Sequence, residues 1–223
     1  MESHGNRRLN VMSRPLRIGH RGAAGHAPEN TMQSIETALR LGVDVVEVDV
    51  HCSRDGQLIV MHDERVDRTT HGTGFVRDLK RDEIPAAPTL SEVLAAVKGK
   101  AALMIELKVR GIAEDAVALA ADSAVYFASF LHSELLRVRE LAPSAKTIAL
   151  IEGVPVSPTA FALDAKATHA GIGFDSLERD SLEALHAAGI AVFTWTVNDP
   201  RDIAHAVSLG VDGLISNFPD RLP

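Results

Sequence analysis

The stretch Val43-Asp44-Val45-Val46-Glu47-Val48-Asp49-Val50-His51 decides how the chain is read. Its valines call for a buried β-strand, yet from Glu47 onward every second residue is polar. Side chains on a strand alternate faces, so Glu47, Asp49 and His51 share one face while Val46, Val48 and Val50 share the other. Two carboxylates one strand repeat apart, at an effective dielectric of about 20, repel by roughly 2 to 3 kcal/mol. Either one of them holds a proton or both face a cation. A metal site is the simpler reading.

The joint that leads into this strand, Leu41-Gly42-Val43-Asp44, recurs as Ala188-Gly189-Ile190 and Leu209-Gly210-Val211-Asp212. A Gly just past a helix adopts the left-handed conformation that turns the chain into the next strand. Strand patterns cover 16–20, 43–51, 58–62, 102–108, 124–129, 147–151, 171–174, 191–196 and 211–216. Helical patterns cover 30–41, 90–97, 112–121, 134–141, 158–166, 179–188 and 199–209. Arg54-Asp55-Gly56-Gln57 is a turn signal, so 58–62 pairs back on the second strand as a hairpin arm and eight βα strands remain. Such units close most naturally into an α/β (β/α)8 TIM barrel, although an open doubly wound sheet shows similar local signals. Gly19-His20-Arg21-Gly22 lacks the spacing of a dinucleotide fingerprint. The expected organisation is a single barrel domain over 16–223, with residues 1–15 as a tail or a cap on the barrel bottom. Residues 63–88, rich in Gly, Thr and charge, form an insertion after the second strand; long loops of this kind carry function or mobility.

The 223 residues are 46% hydrophobic and 24% charged, enough for a sizeable core. A formal net charge of −7 and the lack of any basic run argue against a nucleic-acid partner. The single cysteine, Cys52, allows no intrachain disulfide. Its neighbour His51 invites a thiol nucleophile, but a cysteine at a strand end is ordinarily a small packed side chain, and that reading is preferred. No apolar run has signal-peptide or membrane-spanning length, so a cytoplasmic protein without stable membrane insertion is expected.

In a parallel βα barrel the site forms where strands end and loops toward helices begin. The chain carries His20 and Arg21 at the end of the first strand, Glu47, Asp49 and His51 toward the end of the second, and His62-Asp63 at the end of the hairpin arm. Glu106 and Lys108 share a face at the end of the next strand, and the only tryptophan, Trp195, closes a later one. Glu47, Asp49 and Glu106 make an all-oxygen ligand set that suits one hard divalent cation, Mg²⁺ or Ca²⁺, rather than zinc. The plainer alternative is a salt-bridge cluster with Lys108 and Arg21, which leaves two nearby histidines without a purpose. His20 and His62 are the acid/base pair, because imidazole titrates near neutral pH; others, such as His132 and His205, read as core or surface groups. Cleaving a phosphodiester needs one proton removed from the nucleophile, one given to the leaving alkoxide, and cations against the phosphoryl oxygens. Each role has a resident here.

The motifs Gly19-His20-Arg21-Gly22, Pro28-Glu29-Asn30-Thr31, Glu47-Val48-Asp49-Val50, Asp55-Gly56, His62-Asp63, Asp67-Arg68-Thr69-Thr70, Gly72-Thr73-Gly74, Pro88-Thr89-Leu90, Ile105-Glu106-Leu107-Lys108 and Thr194-Trp195-Thr196-Val197-Asn198 occur in this order. Over most of its length the chain thereby resembles the glycerophosphodiester phosphodiesterase family. The resemblance implies a (β/α)8 barrel that hydrolyses glycerophosphodiesters to glycerol 3-phosphate and an alcohol, with bound Ca²⁺ or Mg²⁺. It implies Glu47, Asp49 and Glu106 as metal ligands, His20 and His62 as the proton-transfer pair, and Arg21 and Lys108 as phosphate clamps. Asn30 is favoured over Thr31 as the cap of the first helix. Glu29 is open between a cap, a partner for Arg21 and a ligand for a substrate hydroxyl. Trp195 reads as a wall against the glycerol carbons rather than only a core aromatic. Between Gly74 and Pro88 the chain is shorter than the family pattern, at the part that covers the glycerol end of the site.

Two further functions fit the sequence less well. A lysophospholipase D-like or cyclising phosphodiesterase is disfavoured by the lack of an interfacial amphipathic helix. A non-catalytic phosphate-ester sensor does not account for both histidines and the three carboxylates.

Overall fold

The computed structural model describes residues 14–223; most of the expected N-terminal tail, residues 1–13, lies outside the described residues. The strands are β1 (Leu16–Gly19), β2 (Val45–Cys52), β3 (Leu58–Val60), β4 (Ala102–Leu107), β5 (Val125–Ser129), β6 (Lys146–Ile151), β7 (His169–Gly173), β8 (Ala191–Trp195) and β9 (Gly213–Ser216). They hydrogen bond in the order β1-β9-β8-β7-β6-β5-β4-β2-β3, and a further β1–β2 pairing closes the ring. Every pairing is parallel except β2 with β3. The result is the expected closed TIM barrel, with β3 as an antiparallel arm outside it.

Between the strands run α1 (Met32–Arg40), α2 (Leu90–Val97), α3 (Ala113–Leu119), α4 (His132–Leu141), α5 (Ala160–Asp164), α6 (Arg179–Ala187) and α7 (Pro200–Leu209). Their starts follow from local chemistry. Thr89 and Glu92 exchange hydrogen bonds in a capping box at α2, and Asp199 caps α7 ahead of Pro200. At the end of α7, Gly210 adopts φ 90°, the left-handed turn expected of that joint. None of the helices among the described residues is long and apolar enough to cross a membrane.

The strand alternation builds two cores. Val46, Val48 and Val50 pack with Leu103, Ile105 and Leu107 in the layer shared with the helices. Ile18, Val45, Met104, Ile148, Phe193 and Ile215 belong to a second cluster that fills the barrel. Phe193 is fully buried there because β9 begins with Gly213, where a Cβ would fall 2.6 Å from the Phe193 ring. The site therefore rests on a solid floor.

Several element bounds differ from the sequence reading, and three of the differences have a physical reason in the local contacts. Helix α1 begins after Thr31, whose Oγ1 accepts from the Ser34 N–H at 3.2 Å, so Thr31 and not Asn30 is the cap. Asn30 instead has φ 56°, a left-handed conformation that an N-cap does not take. Strand β7 starts at His169, earlier than expected, because Ile148 and Ala191 pair with it on either side. Helix α4 starts at His132, ahead of the expected 134, and the His132 imidazole bonds the Leu150 carbonyl at 2.9 Å.

The long connection has a core of its own. Ile59, Met61, Val66, Val76, Ile84 and Ala87 are buried together, apart from both barrel clusters. Two 3₁₀ turns, Val76–Asp78 and Arg81–Glu83, give this segment its shape.

Candidate active site

Strand β2 delivers Glu47 and Asp49 to one face, 3% and 1% exposed, and the parallel register sets Asp49 directly beside Glu106 of β4. One carboxylate oxygen from each of Glu47, Asp49 and Glu106 lies within 4.8 Å of the others. Period-two alternation and strand register thus suffice to bring the three expected ligands together. His51 shares that face but takes no part, since its Nε2 bonds the His62 carbonyl at 3.0 Å and ties the hairpin arm to β2.

Two cations approach the carboxylates. Lys108, just beyond β4, places Nζ 2.7 Å from Glu106 Oε1 and 3.4 Å from Asp49 Oδ1. Arg21 follows β1 with φ 51°, a conformation costing a non-glycine residue roughly 1 kcal/mol, and this aims its backbone N–H at Glu47 Oε2 at 2.7 Å. Its guanidinium donates to Glu29 Oε1 at 2.9 Å, and its Nε stands 3.4 Å from Asp49 Oδ2. Gly22 makes the turn possible: φ is 84°, and a Cβ would sit 2.4 Å from Ser34 Oγ. Asn30 closes the back of the cluster, its Nδ2 donating to Asp49 Oδ2 at 2.8 Å.

The charges do not balance within the protein. Glu47 has no side-chain cation within ion-pair distance among the described residues, and its single hydrogen bond comes from the Arg21 backbone. Burial, then the neighbouring Asp49 and Glu106, push its carboxyl well above the usual range. Burial and Asp49 likewise raise Glu106 to about 7. For Asp49 burial acts upward too, but Lys108, Arg21 and the Asn30 amide outweigh it and hold the carboxyl low. Such a set of three buried carboxylates against two cations, with Glu47 paired to neither, fits a hard divalent cation held by Glu47, Asp49 and Glu106.

The two histidines reach the cluster from different sides. His20 follows β1, and its Nδ1 shares a 2.6 Å hydrogen bond with Asn217 Oδ1. Because the amide oxygen only accepts, Nδ1 carries the proton and Nε2 is left as the acceptor. Burial and then Arg21 lower the His20 pKa to about 4, so the ring is neutral at neutral pH. The arm β3 runs antiparallel and brings His62 back to the barrel rim, where its Nδ1 bonds Asp63 Oδ1 at 2.8 Å.

His20, Arg21, Glu47, His62, Glu106 and Lys108 all line one cavity of about 190 Å³. Met104, Leu150 and Ile215 from the barrel interior also line it, together with Trp195 and Phe130, whose rings meet edge to face at 5.5 Å. Trp195 thus forms part of the cavity wall. A wider groove of about 430 Å³, bounded by Glu29, His62, Arg68 and Thr69, shares His62 with the cavity. Glu29 bonds Arg21 and Arg68 and caps no helix.

Sequence reasoning passed over Asn217, Arg68 and two residues that line the cavity, Phe130 and Glu152. Asn217 directly follows the last strand, and Phe130 and Glu152 directly follow β5 and β6, so the strand-end rule would have found all three. Arg68 lay inside a motif already noted.

Residues 20–221 match the Glycerophosphoryl diester phosphodiesterase family. The chain belongs to this family. A glycerophosphodiester phosphodiesterase of Caldanaerobacter subterraneus subsp. tengcongensis is 33% identical over 232 residues, 93% of this chain and 96% of that one. One from Bacillus subtilis is 31% identical over 248 residues, covering 93% and 85%. Among solved structures, an Oleispira antarctica phosphodiesterase in complex with the product sn-glycerol-3-phosphate superposes with a TM-score of 0.87 at 26% identity, covering 93% of this chain and 94% of that one. Like its glycerophosphodiester phosphodiesterase relatives, the chain is a phosphoric diester hydrolase on a TIM barrel. Its acidic cluster is one that can hold a divalent metal.

Proposed function

We propose that the chain hydrolyses small glycerophosphodiesters to glycerol 3-phosphate and an alcohol in the cytoplasm, with one divalent cation, Mg²⁺ or Ca²⁺, held by Glu47, Asp49 and Glu106. The observation that carries this reading is a single cavity lined by Glu47, Glu106, both imidazoles and two cationic side chains. Bound at the carboxylates, a divalent ion supplies Lewis-acid stabilisation of the phosphoryl oxygens. Arg21 and Lys108 hold the non-bridging oxygens and take up charge as it builds in the transition state. His20, neutral and presenting Nε2, takes the proton of the attacking water. His62 gives a proton to the departing alkoxide as its P–O bond breaks, and Asp63 carries the countercharge of the protonated ring. Trp195 packs the glycerol carbons, and Glu29 orients Arg21. Since His62 lines both the cavity and the wider groove, the alcohol leaves on the groove side.

Product analysis with glycerophosphocholine, glycerophosphoethanolamine and a lysolipid tests this, with and without chelator. Free glycerol 3-phosphate that disappears on chelation is the expected outcome. A cyclic phosphate would mean that a substrate hydroxyl attacks instead of water, and no product from any of the three would refute the reading.

A further inference from the structure

We propose that Arg68 is a positioning residue that sets His62 and Arg21 relative to each other across the cavity; the inference rests on the roles just proposed for those two groups. The Arg68 guanidinium grips two carboxylates at once. Its Nε and Nη2 donate to Asp63 Oδ2 and Oδ1 at 2.6 and 3.0 Å. Its Nη1 and Nη2 donate to Glu29 Oε2 and Oε1 at 3.0 and 2.6 Å. Asp63 in turn bonds His62 Nδ1, and Glu29 accepts from Arg21. A continuous chain therefore runs His62–Asp63–Arg68–Glu29–Arg21, joining the loop after β3 to the loop after β1.

His62 and Arg21 lie beyond the ends of β3 and β1, which both pair with β2; that pairing places their backbones but does not restrict how their side chains face each other. The planar guanidinium does, because two-point contacts on both carboxylates restrict rotation as well as distance. The preceding residue steadies it: Asp67 accepts from Thr73 Oγ1 at 2.9 Å and from the Gly74 N–H at 3.1 Å, which sets the loop on which Arg68 stands. Arg68 is half exposed, and exposed ion pairs add little to fold stability. Its consequence falls on geometry instead, where a displacement of about 1 Å at a reacting group costs on the order of 100-fold in rate.

The test is steady-state hydrolysis of glycerophosphocholine at saturating Mg²⁺ by R68Q, R68K, D63N and E29Q, with melting temperature and His62 imidazole ¹⁵N shifts recorded for each. R68Q is expected to lose roughly 10- to 100-fold in kcat and to raise KM, with D63N reproducing mainly the kcat loss and E29Q mainly the KM rise. R68Q/D63N should fall no further in kcat than the worse single variant, because both cut the same chain. The His62 ring ¹⁵N resonances should shift in R68Q as the Nδ1–Asp63 hydrogen bond loses its fixed geometry, while the melting temperature changes little. R68K, which keeps the charge without the fork, should not restore kcat, and it carries the test if R68Q fails to fold. Near-native kcat and KM in R68Q, multiplying losses in the double variant, or an unchanged His62 signal would each overturn the inference. H62A run alongside separates the two levels: full activity in H62A removes the proposed role of His62, whereas an inactive H62A beside a normal R68Q removes only the role of Arg68.

Discussion

Asn30 and Asp49 are joined by two hydrogen bonds: the Asn30 amide donates to Asp49 Oδ2 at 2.8 Å, and the Asp49 backbone N–H donates to Asn30 Oδ1 at 3.3 Å. The side chain that the sequence marked as a helix cap fixes the orientation of a central carboxylate, and its left-handed backbone is what carries it there. Removing a group that orients a metal ligand typically lowers metal affinity by about 10- to 100-fold. Asn30→Ala should weaken Mg²⁺ or Ca²⁺ binding by that order in calorimetric titration. Unchanged affinity would mean that Asp49 does not ligate the ion.

Glu47→Gln should abolish turnover and divalent binding without destabilising the metal-free protein. Burial and repulsion already oppose its charge, and a glutamine Oε1 can still accept from the Arg21 N–H. Thermal melting in chelator, compared with wild type at pH 8, checks this; a large drop in midpoint would show that the Glu47 charge supports the fold.

His20→Ala and His62→Ala should each lower kcat by roughly 100-fold or more, in line with the usual weight of a positioned acid or base. Asn217→Ala should cost less, since it frees the His20 tautomer without deleting the ring. Rate measurements on the three variants at one pH rank these effects, and an Asn217 loss exceeding that of His20 would contradict the assignment.

Trp195→Ala should raise KM by about 10-fold and leave kcat within a few-fold, because a wall contributes binding in ground and transition states alike. Equal losses in kcat and kcat/KM would instead tie the indole to the transition state.

His169 lies at the far end of the barrel between Tyr126 and Phe193, its ring 5.3 and 5.0 Å from theirs. Burial, with Lys146 nearby, lowers its pKa from 6.5 to about 4. The folded value lies below the unfolded one, so on acidification the unfolded chain binds this proton first. The stabilisation is complete above pH of about 6.5 and drains away as pH falls toward 4, by up to roughly 2 to 3 kcal/mol, less after solvent screening of a partly exposed ring. His169→Gln should flatten the urea stability profile across this window; an unaltered slope would place its origin elsewhere.

The barrel and the three carboxylates were legible in the sequence because both depend on periodicity. Alternation put Glu47 and Asp49 on one face, and the same end-of-strand position put Glu106 beside them. What escaped depends on ring closure or on special backbone states. Asn217 meets His20 only because β9 pairs with β1, 197 residues away in sequence. The left-handed turn of Asn30 has no periodic signature, since its neighbours Glu29 and Thr31 are both acceptable near a helix start. The early start of β7 was hidden because His169 and Ala170 carry no strand alternation of their own and join the sheet only through pairing with β6 and β8. At Gly171 the glycine answers to packing, for a Cβ there would come 2.4 Å from Leu150 Cδ2.

The separate hydrophobic cluster beneath residues 63–88 makes that segment an exchangeable cassette. It begins just beyond the end of β3, after His62, and rejoins the barrel through the capping box of α2. Evolution or an engineer can replace the stretch between Gly74 and Ala87 with a longer one to reshape which head groups are admitted, leaving in place the Thr73 and Gly74 contacts that set Arg68 and the carboxylates that the barrel holds.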